Sequence, residues 1–171
     1  MCAIFCGDLM SLLRQVSSVL INLVFMTQTL NAASSFPRGC EVAGFGYDVN
    51  LLILNETGQQ AYYLIQNRSD EHIKLERHDT ADAFMSPPLL ASIAPKNWAA
   101  FASDVKDVNF KCYRQQTEAT QLVDCRDVLE VCQYPRARFA LSNMGNYWIS
   151  VNKSQQEVIQ ESVAKGIYLK W

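Results

Sequence analysis

Charge is scarce in this chain: Asp, Glu, Lys and Arg make up 19% of its 171 residues, against about a quarter in an average soluble domain. The 15 Lys and Arg nearly balance the 17 Asp and Glu. With no basic run either, the sequence lacks the electrostatic footprint of a nucleic-acid or anionic-membrane binder. Glycine and proline are also few, 7 and 5, which excludes collagenous, linker-like and low-complexity chains. Aromatic residues reach 11% and hydrophobic residues 49%, enough to bury a core, so disorder is excluded as well. One domain of ordinary size is the expectation.

The residues of common catalytic sites are sparse. Only two histidines occur, His72 and His78. On one strand face, six residues at 3.3 Å each place them about 20 Å apart, too far to share an ion. No G-x-S-x-G elbow and no phosphate-cradling glycine loop is present. A hydrolytic pair could lie among Asp104, Asp107, Asp124 and Asp127, but acidic residues beside strands are usually solvated. No catalytic residue, metal or cofactor is therefore assigned.

The chain opens with an address. Arg14, then the apolar stretch Ser17 to Met26, then the small residues Ala32, Ala33, Ser34 and Ser35 describe a secretory signal peptide. The stretch is shorter than the roughly 20 residues a membrane-spanning helix needs, which leaves a signal anchor as the weaker alternative. Residues 1–32 are assigned to the signal and residues 33–171 to a single disulfide-bonded, β-rich domain, periplasmic or secreted. Cys2, Cys6 and Asp8 are unusual ahead of a signal, which makes Met10 an alternative start.

Four cysteines remain after residue 32: Cys40, Cys112, Cys125 and Cys132. An even number behind a signal peptide indicates two disulfides in an oxidising compartment, and the spacings lack the paired C-x2-C of zinc sites. Three connectivities are possible. A hairpin turning near Glu118 favours Cys112 with Cys125, which leaves Cys40 to Cys132.

From Asp48 onward the pattern is one of short β segments between polar turns. Asn50 to Leu54 ends in the turn Asn55-Glu56-Thr57-Gly58, and Gln60 to Gln66 is aromatic and β-branched. Glu71 to His78 alternates, with Ile73, Leu75 and Arg77 pointing one way and His72, Lys74, Glu76 and His78 the other, as a half-buried strand with one wet face. Val108, Phe110 and Cys112 share one face of the next clear strand. Phe84 to Ile93 is ambiguous: Pro87 and Pro88 exclude a central strand there, and the run Leu89 to Ala94 is short for a helix. Asp127 is expected to cap one helical turn toward Cys132, and Arg136 to Ser142 and Asn146 to Asn152 read as strands. Ser154 with Glu157 predicts a capping box, with Val158, Ile159 and Val163 on the buried helix face and Lys165-Gly166 as the stop. Ile167 to Trp171 alternates as a closing strand. The pattern predicts an antiparallel β-sandwich, Ig-like in architecture, with one C-terminal α-helix packed across a face or edge.

Three N-x-S/T sequons start at Asn55, Asn67 and Asn152. They are acceptors where a cell glycosylates, and plain turn residues in a bacterial periplasm. Tyr62 and Tyr63 must face opposite sides of their strand, as must Tyr147 and Trp148. Tyr62, Tyr147 and Trp148 are therefore candidates for a surface that binds protein or cell-envelope glycan, unless the terminal helix or a loop covers them. The ending Gly166 to Trp171, with its terminal aromatic, also resembles the last strand of a small outer-membrane barrel.

Several segments carry a wider resemblance: Tyr63 to Ser69 (YLIQNRS), Asn97 to Phe101 (NWAAF), Val108 to Cys112 (VNFKC), Asp124 to Tyr134 (DCRDVLEVCQY), Ser142 to Ser150 (SNMGNYWIS) and Asn152 to Ser154 (NKS). Together these resemble the enhanced-entry B (EnhB-like) proteins, small exported proteins of intracellular bacterial pathogens related to Legionella. The resemblance implies a Gram-negative envelope or secreted protein connected with host-cell entry, and implies no catalytic residues. The sequence thus points to an exported, non-catalytic binding protein with a protein or glycan partner, whose only membrane contact is through its signal peptide. An envelope hydrolase assembled from Asp, Ser and His, or a small barrel, is the alternative.

Overall fold

A computed structural model describes residues 36–43, 45, 50–78, 90–116, 119–135, 137–139 and 146–169. These belong to one compact unit, Phe36–Trp171. Residues 1–35, which hold the expected signal peptide, and residues 140–145, between the strands expected at Arg136 to Ser142 and Asn146 to Asn152, lie outside the described residues.

Two open antiparallel sheets dominate. In chain order the elements are β1 Glu41–Val42, β2 Leu51–Leu54, β3 Ala61–Asn67, β4 His72–Arg77, β5 Leu90–Ile93, β6 Trp98–Ser103, β7 Val108–Gln115, β8 Thr120–Val123, α1 Cys125–Val128, β9 Leu129–Tyr134, β10 Arg138–Phe139, β11 Asn146–Lys153, α2 Gln155–Ala164 and β12 Ile167–Tyr168. Sheet A runs β1-β9-β3-β6-β11 and sheet B runs β2-β7-β4-β5. β8 joins sheet B on the same side of β7 as β2, because β2 pairs with Val108 to Lys111 and β8 with Cys112 to Gln115. The chain is an antiparallel, mainly-β sandwich.

The core between the sheets follows from alternation. Leu52, Leu54, Ile73, Leu75, Ile93, Val108 and Phe110 of sheet B meet Tyr63, Ile65, Ala99, Phe101 and Val131 of sheet A. Phe101 packs edge-on against Phe110 with ring centroids 5.3 Å apart, and Trp148 closes on both rings at 5.0 and 5.5 Å.

Sheet A is also covered on its other face, which is why β6 (WAAFAS) is buried at all six positions. There Tyr62, Leu64, Trp98, Ala100, Ala102, Cys132 and Tyr134 pack beneath α2, Ile167, Phe139 and the segment bearing Phe36 and Cys40. Ala100 and Ala102 have short side chains that let α2 approach closely. The sandwich thus has three layers: sheet B, sheet A and a helical cover. The predicted C-terminal helix packs on a face.

Helix α2 begins where the sequence predicts. The Ser154 hydroxyl accepts from the Glu157 backbone N–H while the Glu157 carboxylate accepts from the Ser154 N–H, and Lys165 caps the other end. Gly166 follows at φ 83°, the left-handed conformation of a helix stop. The buried face differs from the expectation. Val158 is fully buried, but Val163 is 52% exposed and Ser162 takes the inward position. Spacing of 3.6 residues aligns position 162 with 158, and the serine is tolerated because its hydroxyl donates to the Val158 carbonyl at 2.7 Å.

Other boundaries also moved. The helical turn is α1, capped by Asp124 and not by Asp127, and residues 129–134 form a central strand paired with β3. Of the expected strand Arg136 to Ser142, residues 137–139 are described, and Arg138 and Phe139 among them are paired. In the C-terminal ending, described through Leu169, the strand Ile167–Tyr168 pairs with those two residues, outside both large sheets. Both large sheets are open, so the described strands do not close the ring that a barrel requires.

Candidate functional site

The four cysteines form the bonds Cys40–Cys132 and Cys112–Cys125, with Cα separations of 5.6 and 5.3 Å. In the β7–β8 hairpin Cys112 stands opposite Val123. Cys125 reaches it from the first turn of α1, two residues beyond the ladder. Both bonds suit an oxidising compartment.

The candidate surface aromatics separate. Tyr62 is fully buried beneath α2, and its hydroxyl donates to Ser162 Oγ at 2.6 Å, the Ser162 proton being directed to Val158. Burial raises the Tyr62 hydroxyl pKa well above its ordinary value. Trp148 points into the inter-sheet core, packed on Phe101 and Phe110. Neither forms an exposed binding surface, because the cover provided by α2 and the pairing of the two sheets claim them. Tyr147 remains on the surface, at 49% exposure.

The candidate polar groups are dispersed. His72 and His78 are exposed on sheet B's outer side and beyond its end. Asp124 caps α1 and pairs with Arg126 at 2.8 Å, and the guanidinium bonds hold its carboxyl below the ordinary range. Asp107 lies beside Lys106 at 3.6 Å. Among the described residues no three His, Cys, Asp or Glu side chains are placed to hold a metal ion. No described helix is long and apolar enough to cross a membrane.

Both faces of sheet A are packed, whereas on the outer face of sheet B the central side chains Lys74, Glu76, Lys111 and Tyr113 are half-exposed. Alternation places His72, Lys74 and Glu76 of β4 there, with Asn109, Lys111, Tyr113 and Gln115 of β7. Register sets two rows across the strands: Leu90, Glu76, Lys111 and Leu51, then Ser92, Lys74, Tyr113 and Leu122. Lys74 pairs with Glu76 at 3.0 Å and lies 5.9 Å from the Tyr113 ring centroid. Leu90 and Leu122, 46% and 45% exposed, flank this centre. The face therefore combines an aromatic ring, two lysines and exposed aliphatics on a rigid ladder. Alternation alone places Tyr113 on the face opposite Phe110 and Cys112.

A cleft of about 370 Å³ is lined by Ala43, Phe45, Ile53, Asn55, Glu56, Thr57, Tyr63 and Gln133. Its floor is structural. Asn55, at φ 59°, donates its backbone N–H to the Tyr63 hydroxyl at 2.7 Å. Burial pushes that hydroxyl's pKa up to about 12. Glu56 supplies a carboxylate at the rim.

No family model, curated protein or solved structure that was compared matches the chain.

Proposed function

We propose that this chain is an exported, disulfide-bonded binding protein of the bacterial envelope, periplasmic or secreted, that engages a protein or cell-envelope glycan without catalysing a reaction. The observation that carries this reading is the half-exposed outer face of sheet B, with Tyr113 between Lys74 and Leu122. Tyrosine and flanking aliphatics supply contact area at low entropic cost, and an open polar rim suits a protein or sugar surface. The resemblance to enhanced-entry B proteins supports a contribution to host-cell entry.

Two measurements test it. Intact mass of protein recovered from periplasm and medium should show a product starting near residue 33, with no thiol alkylation before reduction. An uncleaved chain would replace export with anchoring. Cosedimentation with purified peptidoglycan sacculi and with host cells should show binding to one of them that Tyr113→Ala weakens about tenfold, the effect of an interface anchor. Equal binding by a folded Tyr113→Ala variant would discard this face. The cleft favours one other reading, an envelope hydrolase. Release of soluble fragments from sacculi, abolished by Glu56→Gln, would put that reading first.

A further inference from the structure

The three sequons have no part in the binding reading, and the structure treats them unequally. A glycan is attached through the side-chain amide nitrogen, so that atom needs a path to solvent. Asn67 is fully buried, and its Nδ2 faces the backbone carbonyls of Glu71, Ile93 and Ala94 at 2.7, 2.9 and 3.1 Å. Asn55 is 3% exposed, and its Nδ2 donates to Val105 O at 2.8 Å and lies 3.4 Å from Ser103 O. Both amides tie turns to neighbouring strands, and a sugar at either nitrogen would displace backbone. Asn152 differs. It is exposed, at the junction of β11 and α2. Its Oδ1 accepts from the Ala94 N–H at 2.6 Å, and its Nδ2 makes no hydrogen bond among the described residues.

Sequons in a eukaryotic secretory pathway are modified on the extended chain, before burial can protect them. We infer that the fold accepts an N-linked glycan at Asn152 alone, and that the protein matures where thiols are oxidised but Asn55 and Asn67 are left unmodified. This stands independently of what the sheet B face binds.

The test exports the chain to a bacterial periplasm and, in parallel, through the secretory pathway of N-glycosylating eukaryotic cells. Glycans and disulfides are then mapped by peptide mass spectrometry. Periplasmic protein should carry both disulfides and no sugar. Protein secreted by the eukaryotic cells should carry sugar at Asn152 only, while retained, mispaired chains carry it at Asn55 or Asn67. Removing both sequons with Thr57→Ala and Ser69→Ala should raise secretion several-fold. The same double variant made in the periplasm must keep both disulfides, so that lost folding is not mistaken for a glycan effect. Secreted, correctly bonded protein with sugar at Asn55 or Asn67 and an unchanged melting temperature overturns the inference. So does a double variant that folds in the periplasm yet is retained as fully as its parent.

Discussion

At the residue scale, buried hydroxyls and amides do work that composition conceals. Tyr62 and Ser162 illustrate an asymmetry. Tyr62→Phe removes a donor and leaves Ser162 bonded to Val158, whereas Ser162→Ala strands the Tyr62 hydroxyl in the covered layer. An unsatisfied buried group costs about 1–3 kcal/mol and a lost bond with no orphan about 1 kcal/mol. Urea unfolding should therefore rank Ser162→Ala as the less stable variant, and the reverse order would show that the bond is not the controlling contact. Alkaline pH tests Tyr63. Its hydroxyl titrates near 12 when folded, against 10.0 when exposed. Between those values the unfolded chain releases the proton first, so the stabilisation present below pH 10 is lost as pH rises through 12. Tyr62 adds to the same slope, since burial raises its pKa too. The urea midpoint should be insensitive to this pair at neutral pH and decline across that window. Tyr63→Phe should start lower, because the Asn55 N–H loses its acceptor, and decline less steeply.

At the scale of elements, α2 depends on its first turn. Ser154→Ala removes the hydroxyl that accepts from Glu157 and should cost about 1 kcal/mol, the usual value for a lost cap. Hydrogen bonds from Ser154 hold the Glu157 carboxyl below its ordinary pKa of 4.5. The stabilisation is therefore present above that value and is lost as pH falls through the depressed one. A Ser154→Ala variant should lose less stability on acidification than its parent, and parallel acid titrations would rule out the linkage. The strand opposite the helix makes a separate demand. At Ala100 a longer side chain meets α2, and Ala100→Leu should cost about 1–3 kcal/mol through overpacking. Thermal melts check this, with an unshifted midpoint showing that the layers have slack.

At the scale of the molecule, the two disulfides act on loops of different size. Cys40–Cys132 spans a sequence separation of 92 and Cys112–Cys125 one of 13. Chain entropy assigns them about 4–5 and about 3 kcal/mol in turn. The longer bond also fixes the Phe36 segment over Trp98, where their rings meet at 6.0 Å. Replacing it with Cys40→Ser and Cys132→Ala should lower stability more than Cys112→Ala with Cys125→Ala. Urea unfolding of the two double variants decides, and a larger loss from the shorter bond would show that local geometry outweighs loop length.

Local chemistry alone specified several parts of this protein. Capping at Ser154 needs residues three apart, alternation at Ile73 and Leu75 needs only neighbours, and an even cysteine count limits pairing to three choices. Those signals were legible because their partners lie nearby in the chain. Layer order was not. Alternation could say only that Tyr62 and Trp148 face a surface or a cover such as the terminal helix; the choice rests on α2, a hundred positions after Tyr62, and on β7 meeting Trp148 through Phe110. Burial of Asn55 and Asn67 was hidden for the same reason: their amides bond carbonyls on strands that only folding brings close. Local patterning was enough for most of the strands, the capped helix and a cysteine set able to bridge them, but not for the strand Leu129–Tyr134. Tertiary structure alone decided which sheet is covered twice, which face is left half-exposed and which sequon reaches solvent, because those depend on contacts between segments far apart in the chain.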